Sequence, residues 1–204
     1  MDNITCVLPV AGIGKRLQPH TFTIPKVLLP VAGKPMLGYL IEFALSLGMR
    51  RFVFIIGHLG DKIEKFVKTS YPDIDAVFVK QQGFLGLGYA IYLTRDHISG
   101  PVFINLGDTL IEADIGKSLT QRQSWVGVHA VEDPKRFGVA VIGKNRLVTR
   151  MVEKPRDMVS NQALCGVYYL SNSELLFECL QEIIDRKITT KDAKTAKGRI
   201  GDES

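Results

Sequence analysis

Apolar residues in the first 122 positions alternate between short uninterrupted runs and longer stretches with helical spacing. Uninterrupted runs, typical of buried strands, cover residues 4–10, 52–56, 76–79 and 102–106. Helical spacing covers 36–47, which ends before Gly48, a segment capped by Asp61, and 87–94. Strands that alternate with helices predict a parallel sheet covered by helices on both faces.

The pattern changes after residue 122. Strand-like runs cover 125–131, 139–142, 147–152 and 164–170 without an intervening helix, which predicts antiparallel additions to the parallel strands. Ser171 and Glu174 predict a capping box for a last helix, and 187–199 is predicted as a solvated loop. The predicted inner face of that helix carries Leu175, Leu176, Cys179, Leu180, Ile183 and Ile184. We therefore predict an α/β fold, a three-layer sandwich with a mixed, mainly parallel central sheet.

Composition narrows the class of protein. The 204 residues are 46% hydrophobic and 23% charged, which suits one buried core and one domain, 1–204. No apolar run is long enough to cross a bilayer and the N-terminus lacks a basic signal region, so we expect no membrane partner and a cytoplasmic location. Cys6, Cys165 and Cys179 lack metal-binding spacing, and we expect buried reduced thiols. The net charge of +5 suits an anionic substrate, and its dispersed cations make nucleic acid the weaker interpretation.

The candidate chemistry begins where the first strand ends. Gly12 and Gly14 interrupt the chain there, and Lys15 and Arg16 follow at once. Glycine lets a backbone approach phosphate closely, and exposed N–H groups in such a loop bind anions. Arg16 can fork onto phosphate oxygens, while lysines such as Lys26 add point charges. This loop predicts a site for a ligand with several phosphates.

Two familiar glycine loops do not fit. The dinucleotide fingerprint requires a third glycine where this chain has Leu17. The Walker A loop requires serine or threonine after Gly33-Lys34, where this chain has Pro35. A nicotinamide-dependent oxidoreductase and a Walker-type nucleotidase are therefore disfavoured.

The stretch from Gly12 to Pro35 resembles the signature of the sugar-phosphate nucleotidylyltransferases, most closely the glucose-1-phosphate thymidylyltransferases. The matching positions are Gly12, Gly14, Arg16, Leu17, Pro19, Thr21, Pro25, Lys26, Leu28, Leu29, Pro30, Val31, Gly33, Lys34 and Pro35. Ile13 and Lys15 depart from the signature. The resemblance implies a Rossmann-like nucleotide-diphospho-sugar transferase fold. Its nucleotide-binding half would cover about 1–122 and its sugar-phosphate-binding half about 123–204.

The resemblance also implies roles for the phosphate loop. Arg16, Lys26 and Asp108 would be catalytic, with Arg16 on the triphosphate and Lys26 bridging the reacting phosphates. The other nucleotide-binding residues of this loop would be Ala11, Gly12, Gly14 and Lys15. Asp108 follows a predicted parallel strand, where open α/β sheets bind ligands, and would hold the cofactor Mg²⁺. Without the resemblance, Gly107-Asp108 is more simply a turn capped by aspartate.

Two further groups of residues are assigned by the same resemblance. Gln81 and Gly86 would bind the base, because a glutamine amide both donates to and accepts from the imide edge of thymine or uracil; Gln82 would take this role if the register shifts by one. The sugar-phosphate-binding residues would be Gly138, Glu153, Lys154 and Gly166. Cys165 stands where the family has threonine.

The predicted reaction joins dTTP or UTP to a sugar 1-phosphate, glucose 1-phosphate in the closest branch, and releases pyrophosphate. The family's second metal-binding aspartate would follow about where this chain ends, at Gly201-Asp202-Glu203-Ser204. We expect a chain truncated at its C-terminus; the alternative is that Asp202 or Glu203 substitutes for that aspartate. A non-catalytic nucleotide-sugar binding module is the alternative. Homo-oligomer formation stays open.

Overall fold

The structure is a computed structural model that describes residues 3–83, 86–121 and 123–199, with side chains through Arg186. Its strands are β1 (Thr5–Pro9), β2 (Pro30–Val31), β3 (Lys34–Pro35), β4 (Arg51–Ile56), β5 (Asp75–Lys80), β6 (Val102–Asn105), β7 (Trp125–Ala130), β8 (Gly138–Ile142), β9 (Val148–Glu153) and β10 (Gln162–Leu170). Its α-helices are α1 (Met36–Ser46), α2 (Gly60–Ser70), α3 (Leu87–Tyr92), α4 (Gly116–Thr120) and α5 (Ser173–Arg199). Three 3-10 turns, Lys15–Leu17, His20–Phe22 and Lys26–Leu28, lie in the loop after β1.

A mixed sheet forms the middle layer. Its strand order is β5-β4-β1-β6-β10-β8-β9, and β7 also pairs with β10. Strands β5, β4, β1 and β6 run parallel to one another, whereas β10 runs antiparallel to β6. The predicted mixed, mainly parallel sheet is therefore confirmed for its first half, and the antiparallel additions are confirmed for its second half.

Two apolar clusters cover the two faces of the sheet. On one face, Leu40 of α1 and Ile63 of α2 pack with Phe54 of β4. On the other face, Ile91 of α3 packs with Ile55 of β4, and α5 contributes Leu176, Phe177 and Leu180. Because both faces are covered, the parallel strands carry apolar residues at consecutive positions instead of alternating ones. The three-layer arrangement follows from this packing.

Strand β10 joins the two halves of the sheet. It pairs with β7 near both of its ends, at Ala163 with His129 and at Tyr168 with Val126. Consequently β6 and β8 share its other edge, β6 against 167–170 and β8 at Ala163. The register shifts between Leu164 and Tyr168, where β10 bulges. The bulge lies where the carboxyl end of β6 meets β10, beside the turn that carries Asp108.

Several local predictions about helix ends are wrong. Asp61 lies inside the first turn of α2, which has Leu59 at its N-cap, and caps nothing through its side chain. The amide of Leu175 donates to Asn172 Oδ1 at 3.0 Å, so Asn172 caps α5 in place of Ser171. Ser171 instead contacts the residue that precedes β7, since its backbone amide donates to Ser124 Oγ at 3.0 Å. The predicted loop at 187–199 is helical, because α5 continues to Arg199.

The inner face of α5 is also narrower than predicted. Leu175 and Ile183 are exposed, whereas Leu176, Leu180 and the unpredicted Phe177 pack against the sheet. The expectation of buried cysteines holds for Cys6 alone: Cys165 is half-buried and Cys179 is exposed. Among the residues that the structure describes, no helix combines the length and apolar character that crossing a bilayer requires.

Candidate functional site

A cleft of about 310 Å³ opens at the carboxyl ends of β1 and β6, the edge at which open α/β sheets bind ligands. Its lining residues are Pro9, Val10, Ala11, Gly12, Lys26, Val27, Gln81, Gly86, Leu87, Ala90, Leu106, Gly107 and Asp108. The predicted site residues Ala11, Gly12, Lys26, Gln81, Gly86 and Asp108 all belong to this set. Chain segments far apart in sequence therefore contribute to one concave surface.

The loop after β1 supplies one wall of the cleft. A Cβ on Gly12 would meet nothing within 4 Å, so protein packing does not require glycine there and the space in front of its backbone is open. Gly14 has a left-handed backbone (φ +68°), and a Cβ there would lie 3.0 Å from Lys26 Cβ and from Thr21 Cγ2. The buried Thr21 hydroxyl donates to Gly14 O at 3.0 Å. Gly14 and Thr21 thus shape the loop, and Gly12 faces the ligand space.

Lys26 and Asp108 form an ion pair on the wall of the cleft. Lys26 Nζ lies 2.6 Å from Asp108 Oδ2, and the two side chains are 30% and 56% exposed. Gly107 brings Asp108 to this position, since a Cβ on Gly107 would lie 3.1 Å from both Pro9 O and Val27 Cγ1. The turn after β6 therefore packs directly against the loop after β1, and a Cβ at position 107 would require one of them to shift by a few tenths of an ångström.

The segment after β5 faces the same cleft. Gln81 lines it and Gln82 does not, which favours the first of the two predicted registers. Gln81 Nε2 donates to Gly83 O at 3.2 Å, so the amide is folded onto its own loop. Gly86 has φ +99° and open space around the position of a Cβ. Phe84 and Leu85 lie outside the described residues.

The remaining predicted cations do not line this cleft. Lys15 and Arg16 are exposed on the 3-10 turn that follows Gly14. Lys34 instead contacts Glu42 of α1 and lies 4.3 Å above the Tyr39 ring. Hydrogen bonds from Lys34 and Tyr71 lower the pKa of Glu42. Lys34 therefore fastens the β2–β3 hairpin to α1, and the structure gives it no part in the cleft.

The predicted sugar-phosphate residues lie around β8, β9 and β10. Gly138 pairs with Glu153 across the hairpin, and a Cβ on Gly138 would lie 2.8 Å from Glu153 Oε2. Lys154 Nζ is 3.7 Å from Glu153 Oε1, and both side chains are largely exposed. Burial, then the charges of Glu153 and Cys165, raises the pKa of Tyr168. Glu153 therefore acts electrostatically on Tyr168 of β10, although neither Glu153 nor Lys154 lines the cleft.

Gly166 connects this region to the cleft. It lies in the bulge of β10 with φ +77°, and a Cβ there would lie 2.7 Å from Cδ1 of Leu106, a cleft residue. Gly166 O accepts a hydrogen bond from the Leu106 amide at 3.0 Å. Gly166 thus packs against Leu106 of the cleft wall without lining the cleft itself. Its φ and this close contact both favour glycine.

The fit to Mg²⁺ rests on one carboxylate. Within the described residues no group of three or more His, Cys, Asp or Glu side chains converges on one point. Mg²⁺ commonly takes one or two protein carboxylates and completes its shell with water and substrate phosphates. Asp108, exposed and on the cleft wall, suits an ion that arrives with a triphosphate.

Of the apolar residues that line the cleft, Leu87 and Ala90 belong to the segment that resembles the family's base-binding segment, whereas Val27 and Leu106 were not predicted from the sequence. These last two residues carry no signal of their own, because each also fits the apolar pattern of its segment. Thr109 was also assigned no role from the sequence, although its hydroxyl donates to Cys165 O at 3.0 Å. Its place beside Gly107-Asp108 was the only available hint.

Comparison with known sequences places most of this chain in one family. Residues 6–197 match the sequence model of the family described as Nucleotidyl transferase. The chain is 31% identical over 184 residues to the bifunctional protein GlmU of Methanococcus vannielii, covering 87% of this chain and 43% of GlmU. It is 28% identical to the UTP–glucose-1-phosphate uridylyltransferase AglF of Haloferax volcanii, covering 79% of this chain and 70% of AglF. The chain spans about half the length, or less, of several curated relatives.

Solved structures share the fold. A UDP-glucose pyrophosphorylase complexed with UDP-glucose superposes with a TM-score of 0.76 at 29% identity, covering 89% of this chain and 80% of that one. A Bacillus anthracis protein assigned as a glucose-1-phosphate thymidylyltransferase, solved with sucrose, gives a TM-score of 0.73 at 26% identity, covering 82% and 71%. The Rossmann-like fold predicted from the sequence is thereby confirmed.

Proposed function

We propose, from the premise that this chain belongs to the nucleotidyl transferase family, that it transfers the nucleotidyl group of dTTP or UTP to glucose 1-phosphate. A phosphate oxygen of the sugar 1-phosphate attacks the α-phosphorus in line. The bond from that phosphorus to the bridging oxygen breaks, pyrophosphate leaves and the nucleoside diphosphate sugar forms. The attacking phosphate oxygen is already ionised, so the reaction needs no protein nucleophile. The protein has to align two anions and offset their charge.

The observation that carries this proposal is the shared cleft. Gly12, Lys26, Gln81 and Asp108 come from segments separated by up to 96 positions, and they line one cavity. Residues that merely shape their own turns would not converge in this way. The open backbone of the loop and the cation suit the phosphates of a nucleoside triphosphate. The amide suits its base, and the carboxylate suits the metal ion that accompanies it.

The phosphates would lie against Gly12 and Lys26. The backbone at Gly12 is open to a ligand, and Lys26 Nζ supplies the positive charge nearest to it on the described cleft wall. Arg16 lies outside the wall on the adjoining 3-10 turn, and its role on the triphosphate requires the side chain to reach across that turn. When phosphate oxygens compete for Lys26, they release Asp108 from its ion pair.

Asp108 is the residue that would hold Mg²⁺. When bound there, the ion would act as a Lewis acid on the phosphates and orient them. Asp108 itself provides a carboxylate that is more than half exposed, and Gly107 fixes its backbone against the phosphate loop.

The base and the sugar are proposed from Gln81 and from the relatives. To read an imide edge, the Gln81 amide must exchange its bond to Gly83 O for bonds to the base. AglF is named for UTP and glucose 1-phosphate, and one solved relative holds UDP-glucose, which supports both substrates here. The Bacillus anthracis relative supports dTTP. Gly138, Glu153, Lys154 and Gly166 stay the predicted sugar-phosphate residues.

A second candidate is a nucleotide-sugar binding module without turnover. The observation in its favour is that Asp108 is paired with Lys26 and that no other carboxylate lines the described cleft wall. Such a module would bind the same ligands and release no pyrophosphate. A cytoplasmic location and a homo-oligomer stay predictions for either candidate.

One experiment separates these candidates. The chain is incubated with Mg²⁺, glucose 1-phosphate and, in turn, dTTP, UTP, ATP and CTP, while pyrophosphate release and the thermal shift are recorded. Pyrophosphate release with dTTP or UTP that Asp108→Asn abolishes supports the transferase. Thermal shifts without pyrophosphate support the binding module. No shift and no release with any nucleotide would reject both.

A further inference from the structure

A short turn connects β6 to the carboxylate of the cleft. It comprises Leu106, Gly107, Asp108 and Thr109, and the Thr109 amide closes it by donating to Leu106 O at 3.0 Å. Gly107 packs against the phosphate loop, as described above. The turn is therefore held against the phosphate loop on the nucleotide side, and Asp108 lies within it.

Two hydrogen bonds attach the other side of the turn to the bulge of β10. Leu106 N donates to Gly166 O and Thr109 Oγ1 donates to Cys165 O, each at 3.0 Å. We call these four residues (Leu106, Thr109, Cys165 and Gly166) the clip. One bond is made by Leu106, two positions before Asp108, and the other is made by Thr109, directly after it. Asp108 is thus flanked on both sides along the chain by residues bonded to β10.

We propose that Thr109 is a positioning residue that sets Asp108 relative to the sugar-phosphate side of the site. This inference rests on the proposed function, because it assigns Asp108 to the reacting phosphates and the β10 bulge to the sugar phosphate. Thr109 is half-buried, does not line the cleft and acts through its neighbours. Its hydroxyl is the only side-chain group in the clip that makes a hydrogen bond between the turn and the bulge.

The clip explains why a transferase would use a threonine here. In-line attack requires the sugar phosphate and the α-phosphorus to be held in one geometry, and small displacements cost large factors in rate. The sugar phosphate is expected on the β10 side, and the α-phosphorus of the nucleotide is expected on the Gly12 side. The Thr109 hydroxyl fastens the bulge at Cys165 to the turn that carries Asp108, so the two sides share one rigid connection.

The test uses Thr109→Val, which keeps the side-chain shape and removes the donor, and Thr109→Ser, which restores it. The matched control is Thr149→Val, which removes an equivalent cross-strand bond from Thr149 Oγ1 to Val141 O at 3.1 Å on the distant hairpin. Hydrogen exchange of the Leu106 amide is followed by nuclear magnetic resonance, with the Val10 amide, bonded to Ile55 O, as the internal reference.

We expect Thr109→Val to speed exchange of the Leu106 amide about tenfold and to leave the Val10 amide unchanged. With substrates, kcat should fall about tenfold or more while KM for the nucleotide stays within about threefold. Thr109→Ser should restore both quantities, and Thr149→Val should change neither.

Other outcomes overturn the assignment. An unchanged kcat or an unchanged Leu106 exchange rate in Thr109→Val would do so, as would a Thr109→Ser variant as impaired as Thr109→Val. If Thr109→Val does not fold, Thr109→Ala takes its place, and failure of both to fold beside a folded Thr109→Ser reduces Thr109 to a stabilising residue. A parent chain without transfer activity rejects the proposed function, and the exchange rates then decide the positioning role alone.

Discussion

Lys26 Nζ and Asp108 Oδ2 lie 2.6 Å apart, although 82 positions separate the two residues in the chain. Each is the other's counter-ion on the described cleft wall, and the proposed function gives each a ligand of opposite charge: phosphate for Lys26, Mg²⁺ for Asp108. Removing one partner therefore exposes the other to its ligand. Loss of Lys26 should therefore weaken nucleotide binding, whereas loss of Asp108 should not weaken it.

Lys26→Met should weaken nucleotide binding in the absence of Mg²⁺, because a cation facing phosphate is lost. Asp108→Asn should leave that affinity unchanged or raise it, because Lys26 becomes free. Both variants should lower turnover by about 100-fold, since each removes charge that stabilises the transition state. Titration calorimetry without metal and pyrophosphate release with metal measure the two effects. Equal losses of affinity in both variants would contradict the counter-ion relationship.

Arg16→Ala should weaken dTTP and UTP binding by about 1.5–3 kcal/mol if Arg16 reaches the triphosphate, since charge-assisted bonds are worth that much. Folding should be unaffected, because Arg16 is exposed. Arg150→Ala is the control, an exposed arginine on β9. Equal nucleotide affinity in the Arg16 and Arg150 variants would remove Arg16 from the site.

Gln81→Ala should reduce the preference for dTTP and UTP over CTP and ATP, because an amide facing the wrong base edge leaves buried polar groups unpaired. Gln82→Ala is a close control, an exposed glutamine one position further that does not line the cleft. Thermal shifts with the four nucleotides measure the preference. A loss of selectivity in the Gln82 variant and not in the Gln81 variant would show that the base is read in the shifted register.

Gly166→Ala and Gly83→Ala separate backbone strain from steric overlap. Their φ angles are nearly equal, +77° and +78°, so both should lose about 1–2 kcal/mol from the left-handed backbone. The added Cβ lies 2.7 Å from Leu106 Cδ1 at Gly166 and meets nothing within 4 Å at Gly83. Urea unfolding should therefore show a further loss of about 1–3 kcal/mol for Gly166→Ala alone. Equal losses would mean that the Leu106 side chain moves aside freely.

Tyr71 should make stability fall at high pH. Burial, with the hydrogen bond to Glu42 and its charge, raises the pKa of Tyr71 to about 12 from the ordinary value of 10.0. A raised folded-state pKa contributes stability below the unfolded pKa and loses it as pH rises through the folded one. The parent should thus lose this contribution between pH 10 and about 12, and Tyr71→Phe should not show that loss. Unfolding in urea across this pH range compares the two.

The fold was predictable wherever packing acts on both faces of a strand. Phe54 and Ile55 point to opposite apolar clusters, so β4 shows the uninterrupted apolar run by which it was recognised. Helix ends were less predictable, because Ser171, Asn172 and Ser173 are all acceptable caps and only the contact with Ser124 decides between them. The exposed Leu175 shows the same limit: helical spacing identifies an apolar residue but not the neighbour that covers it.

The site was predictable where a motif fixes the backbone. Gly12, Lys26 and Asp108 meet in the cleft because their turns pack against each other through Gly107. The same reasoning could not separate Lys26 from Lys34, since both stand in matched positions of the signature. Only the tertiary contact with Glu42 shows that Lys34 faces α1. The distance between Glu153 and the nucleotide side also depends on how β8 and β9 extend the sheet beyond β10. No local sequence pattern predicts that extension.

The late position of β10 in the chain has a consequence for the protein during its translation. Its partners β6, β7 and β8 all precede it in the chain, yet it lies between β6 and the remaining antiparallel strands. A nascent chain that has emerged only as far as residue 160 therefore carries β6 with an open edge and a β8–β9 hairpin with no strand beside it. Open strand edges invite pairing with other chains. The edge of β6 stays open from its own translation until that of β10, and a chaperone that covers this edge would protect the nascent chain in that interval.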